Sequence, residues 1–170
     1  MRSVCEAYLV QALQQAGVVN VYTEPKDAAA HTVVPYAEVL WGDERLRFDG
    51  SLVAGYDGTD DQGRPVRILR RRIYQRTLPA EVKIVHREGQ LAAVADAFVA
   101  GLARRIFDGR ENAILISLST GASEESASRL RGKEVTVFLI TFEGGVYKEQ
   151  TKQLFDLGTQ VVIEFETGGI

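Results

Sequence analysis

The stretch "RILRRRIYQRTLPAEVKI", residues 67–84, decides the fold. Read with the two-residue period of a strand, Leu69 and Ile73 lie on one face with Arg71 between them, and Arg70, Arg72, Tyr74 and Arg76 lie on the other. Beyond Pro79 the parity changes, with Ala80, Val82 and Ile84 inward and Glu81 and Lys83 outward. Proline has no N–H to give to a ladder, so a bulge, bend or break is expected near Thr77–Pro79. The next stretch, "GQLAAVADAFVAGLARRIFDG" (89–109), places Leu91, Val94, Ala95, Phe98, Leu102 and Ile106 in one apolar helical stripe. Arg104 and Arg105 then fall in its last turn and Gly109 after its end. This helix needs an apolar partner, and Leu69 and Ile73 are expected to pack beneath it.

Upstream, an N-terminal helix is marked by Val4, Tyr8 and Ala12 and by Leu9, Leu13 and Ala16 at helical spacing. Ser3 and Glu6 fit a capping box, and Gly17 stands where a left-handed C-cap belongs. "VVNVYTEP" (18–25) reads as a short strand, "KDAAAHT" as a connector, and "VVPYAEVLWGDERLRFDGSLVAGYD" as two or three strands. "YDGTDDQGRP" reads as a loop. Downstream, residues 112–119, 133–144 and 159–169 read as strands, with "TGASEESASRLRG" a polar loop or short helix. Gly144–Gly145 reads as a hairpin turn or strand end. This order predicts a single α+β domain over residues 1–170, with a largely antiparallel sheet and two main helices packed on one face.

The 170 residues suffice for one domain with a substantial core. A hydrophobic content of 45% and a formal charge of −3 fit an ordinary soluble protein and argue against a generally basic nucleic-acid binder. The single cysteine, Cys5, excludes an internal disulfide and leaves no Cys cluster for zinc. No signal peptide or bilayer-length apolar segment is visible, so a reducing cytoplasm and no membrane partner are expected.

Motifs of catalysis are missing. The acidic "DGTDDQG" lacks the ligand spacing of a calcium loop, and a solvated acidic turn is the better reading. His31 and His86 lie in separate elements, with no spacing that points to zinc or to a His-based hydrolase. The serines of "STGASEES" sit in no nucleophile elbow, and "FEGGVYK" has no phosphate-loop spacing. The chain therefore reads as non-enzymatic, without a cofactor or metal.

The candidate site is the arginine strand, comprising Arg70, Arg71, Arg72, Tyr74 and Arg76. Arginines tracking phosphates, with a tyrosine stacked on a base, would make a nucleic-acid-binding module. The same arginines can instead blunt a sheet edge and pair with acidic neighbours. They can also form an inter-subunit surface, with Glu143, Glu149, Glu164 and Glu166 as available carboxylates. The negative net charge favours the last two readings.

A capped N-terminal helix, strands, "RRRIYQRTLP", an Ala-rich helix and a closing "VTVFLITFEGGVYKEQT" resemble the tail-terminator, or tail-completion, proteins of Mu-like long-tailed bacteriophages. The resemblance spans most of the chain and rests on element order and short phrases. It implies a structural virion protein that assembles in the host cytoplasm and resides in the tail. Its partners would be itself, as a homo-hexameric ring, the tail tube, with sheath proteins as a further candidate, and the head-side connector. DNA would be met only in passage through the lumen.

Overall fold

The computed structural model describes residues 1–24, 33–109, 112–121 and 132–154. It is an α+β structure, richer in strand than in helix. Two helices, α1 (Arg2–Gln15) and α2 (Leu91–Gly101), accompany seven strands: β1 (Asn20–Tyr22), β2 (Tyr36–Trp41), β3 (Arg45–Thr59), β4 (Pro65–Arg87), β5 (Arg105–Asp108), β6 (Asn112–Gly121) and β7 (Lys133–Gln153). The strands follow the order β1-β2-β4-β7-β6-β5, and β3 pairs with β4 off that path. The β2–β4, β5–β6 and β6–β7 pairs are antiparallel, and β1–β2 is parallel.

The first helix buries Cys5, Leu9, Ala12 and Leu13. Its end follows from Gly17, which at φ 95° takes the left-handed conformation that a side chain would resist. The Gly17 and Val18 N–H groups then donate to the Gln14 and Leu13 carbonyls, and Val18 is buried. That is a Schellman ending with its apolar contact. The expected capping box is absent: the helix begins at Arg2 with Met1 as N-cap, so Ser3 already lies inside the first turn.

The second helix is shorter than its apolar stripe. It stops at Gly101, and Leu102 is extended at ψ 123°. Arg105 and Ile106, expected in its last turn, belong instead to β5, where Ile106 pairs with Ile114. Glycine is a poor helix former, and pairing with β6 satisfies the backbone of this segment in another way. The stripe itself faces inward: Leu91 and Phe98 are buried, and Val94, Ala95, Leu102 and Ile106 pack against the same core.

Of the bulge, bend or break expected near Thr77–Pro79 no break is present, and the turn or strand end expected at Gly144–Gly145 is continuous strand. β4 passes unbroken through Thr77–Pro79, and the Pro79 carbonyl accepts the Gly42 N–H at 3.0 Å just past the end of β2. β7 runs straight through Gly144–Gly145. A Cβ at Gly144 would come within 2.9 Å of Met1 Sδ, so this glycine answers to a close approach and not to a turn. The loop expected over residues 56–65 shrinks to a tight turn after Thr59, closed by the Asp60 N–H on the Arg64 carbonyl.

The chain resolves into two compact units, one of residues 1–47 and 75–145, the other of 48–74 and 146–170. The first holds the main core, in which the helices meet Val39 of β2, Leu78, Ala80, Val82 and Ile84 of β4, Ile114 of β6, and Phe138, Ile140 and Phe142 of β7. Phe98 of α2 packs on Phe138 at 5.5 Å between ring centroids. Leu69 and Ile73 are half-buried in the second unit and take no part in this core, contrary to expectation. It is the segment beyond Pro79 that lines the core. Lys83, expected outward, is buried opposite Glu38, its register partner on β2, with Nζ 3.9 Å from the carboxylate.

Candidate interaction surface on the β3–β4 hairpin

The second unit is organised from its turn. Asp60 Oδ1 accepts the backbone N–H of Gln62 and of Arg64, each at 2.9 Å, while Oδ2 meets Arg64 Nε at 2.7 Å. These bonds, led by the Arg64 N–H, hold the Asp60 carboxyl below the usual carboxylate range. The acidic loop of the sequence is therefore a hairpin turn built by its own carboxylate. Gly63, at φ 75°, completes it.

From there the arginines of β4 meet acids of β3. Arg67 Nη1 lies 3.1 Å from Asp57 Oδ1, and Arg72 Nε bonds Asp49 Oδ2. Arg71 Nη1 donates to the Gly50 carbonyl at 3.4 Å. Arg70 stacks its guanidinium over Tyr147 of β7 at 4.5 Å, well within cation–π range. Tyr74 stands edge-to-face with Phe48 at 5.9 Å. Arg76 lies in the first unit, where its Nε is 2.6 Å from Glu44 Oε1. That hydrogen bond lowers the Glu44 carboxyl and raises the Arg76 guanidinium from their ordinary values.

The structure thus gathers Arg70, Arg71, Arg72 and Tyr74 in one unit and leaves Arg76 in the other. Each has a partner within the chain. Among the described residues those partners include Asp49, Gly50, Tyr147, Phe48 and Glu44. Glu149 accepts from Tyr56 Oη at 3.4 Å, and Glu164 and Glu166 lie outside the described residues. The acids of β3 were findable in principle. Asp57 and Arg67 are equidistant from Gln62, the pattern a hairpin closing at that residue produces. What concealed the rest was the reading of residues 56–65 as loop.

Beside these neutralised charges lies apolar surface. On β3, Phe48 is 69% exposed, Leu52 55% and Val53 52%. Residues 52–56, "LVAGY", carry no charge. Among the described residues β3 pairs only with β4, so its other edge has no strand beside it. Gly50, at φ 68°, interrupts the alternation of this strand as glycine does at a bulge.

His86 is on β4, its Nδ1 accepting the Arg87 N–H at 2.7 Å, and His31 lies outside the described residues, as does the strand expected over 159–169. Burial pushes the Cys5 thiol up to about 11, away from reactivity at neutral pH. Among the described residues no helix is long and apolar enough to cross a membrane. No protein-family model matches the chain, and a search of curated proteins finds no match.

Proposed function

We propose that the chain is a non-catalytic structural subunit that works in a ring, as a tail terminator does at the end of a phage tail tube. In this reading both helices cover one face of the sheet, and the protein is assembled in the host cytoplasm and carried in the virion tail. Its partners are further copies of itself, the tube and the head-side connector, and it needs no cofactor.

One observation carries the reading. A long hairpin has its arginines matched by partners in its own chain while Phe48, Leu52 and Val53 stay exposed. Such a surface suits contact with protein. A groove for phosphates keeps its guanidiniums available, whereas Arg72 here is already bonded to a carboxylate. The resemblance of the sequence to tail-completion proteins is what suggests the ring and the tail, beyond what the surface alone supports.

The mass of the purified protein, alone and mixed with tail-tube or connector protein, tests the proposal. A closed multimer is expected, alone or templated by the tube. A chain that stays monomeric and binds neither partner overturns it, and tight salt-sensitive DNA binding by the monomer would replace it with the nucleic-acid module.

A further inference from the structure

Past Gly145, β7 has β4 on one side and, among the described residues, no strand on the other. β6 pairs with β7 only from Val137 to Glu143, and β4 lies between β3 and β7 with both its edges taken. The Leu154 N–H donates to the Pro65 carbonyl at 3.2 Å, so the chain still runs along β4 at the last described residue. Backbone groups alternate sides along a strand, which turns the N–H groups of Tyr147, Glu149, Thr151 and Gln153 to the open side. Side chains alternate between faces as well. Lys148, Gln150 and Lys152 share one face, and Tyr147, under the Arg70 guanidinium, shares the other with Glu149 and Thr151.

We infer that the chain's own residues 160–166, "QVVIEFE", fill this side as a fourth strand of the second unit, antiparallel to β7. Three observations point to this occupant. Residues 146–170 belong to the same unit as the β3–β4 hairpin, in which only the outer edges of β3 and β7 are open among the described residues. With Leu154 still on β4, a strand beginning at Gln160 leaves the five residues "FDLGT" for the connection. That is a hairpin length, and Asp156 and Gly158 are residues that turns favour.

Charge then sets the face. The segment alternates Val161, Ile163 and Phe165 with Val162, Glu164 and Glu166. Pairing Leu154 with Gln160 puts Glu166 opposite Lys148 and Glu164 diagonal to both Lys148 and Lys152. A slip of one residue brings both glutamates beside Glu149 instead, and like charges across a ladder repel. The outer edge of β3 is the poorer host. Residues 48–59 hold Asp49 and Asp57 and no base, and the connection would have to cross β4 and β3, about 14 Å. With its β7 edge filled, the unit offers no strand-adding contact there to a neighbouring subunit or tube protein, whether or not the chain forms a ring.

Zero-length coupling tests this in the unmodified chain, since a carbodiimide joins a lysine amine to a carboxylate only where the two touch. Heavy-nitrogen protein and ordinary protein are unfolded together in urea, refolded as a mixture, coupled and mapped by mass spectrometry. Links from Lys148 to Glu166 and from Lys152 to Glu164 are expected, each within a single isotope. Absence of both links overturns the inference, and so do links that carry both isotopes, which would place the segment on a second copy. Hydrogen exchange gives an independent reading. The amides of Tyr147, Glu149, Thr151 and Gln153 should be protected in the wild type and exchange about fivefold faster or more in Lys148→Glu. Adding Glu166→Lys to that variant should restore the slow rate. Wild-type exchange of these four amides at the rate of an open edge overturns the inference, as does a double variant no slower than Lys148→Glu.

Discussion

Arg76 and Glu44 show what one ion pair contributes here. Glu44 has its carboxyl lowered chiefly by the Arg76 hydrogen bond. A lowered value in the folded state means stability that is complete above the unfolded carboxylate range of about 4.3 and lost as pH falls through the folded value. Arg76 stays protonated throughout, so Glu44 alone sets the window. Glu44→Gln should cost about 0.5 kcal/mol at pH 7, since the pair is partly solvated. It should also flatten the fall in stability between about pH 5 and 3. Urea melts at stepped pH check this, and parallel pH profiles for the two proteins would show that the pair adds nothing. Local rules misread several neighbouring residues. Ser3–Glu6 has the spacing of a cap, but the helix begins one residue after Met1. Gly144 has the look of a turn and is a contact. For Gly144 a neighbour in space, Met1, decides, and it is invisible along the chain.

Among the elements, α1, β1, β2 and β6 were legible because each carries its own period and its own stop signal. The end of α2 was not. Ile106 satisfies a helical stripe and a strand pairing equally well, and only Ile114 across from it selects the second. The turn after Thr59 was hidden by its composition, since glycines and aspartates mark a loop whether it spans ten residues or five. The arginine strand was legible as a strand, while its partners depended on where that turn closes. Asp60→Ala tests the assignment of the turn. Without the carboxylate that gathers the Gln62 and Arg64 N–H groups, hydrogen exchange at those two amides should quicken by about tenfold or more. Amides of α1 should keep their protection. If the two turn amides exchange at the wild-type rate, the turn does not depend on its aspartate.

For the molecule as a whole, the strand order has a consequence in time. β7 is the last described element in sequence, yet it lies between β4 and β6. A chain ending before Lys133 therefore has the core-lining residues of α1, α2 and β4 but lacks Phe138, Ile140 and Phe142, all fully or nearly fully buried. Such a truncation should show no cooperative melt by circular dichroism, and a sharp transition would mean that the first unit folds without β7. During synthesis the same condition holds for every copy. Until residue 153 clears the ribosome, β4 and β6 each wait with an open edge, and the nascent chain must be kept from zipping onto its neighbours on the same messenger. Because β7 joins β4 to β6, the first unit cannot close its sheet while it emerges and is completed only once β7 has been made.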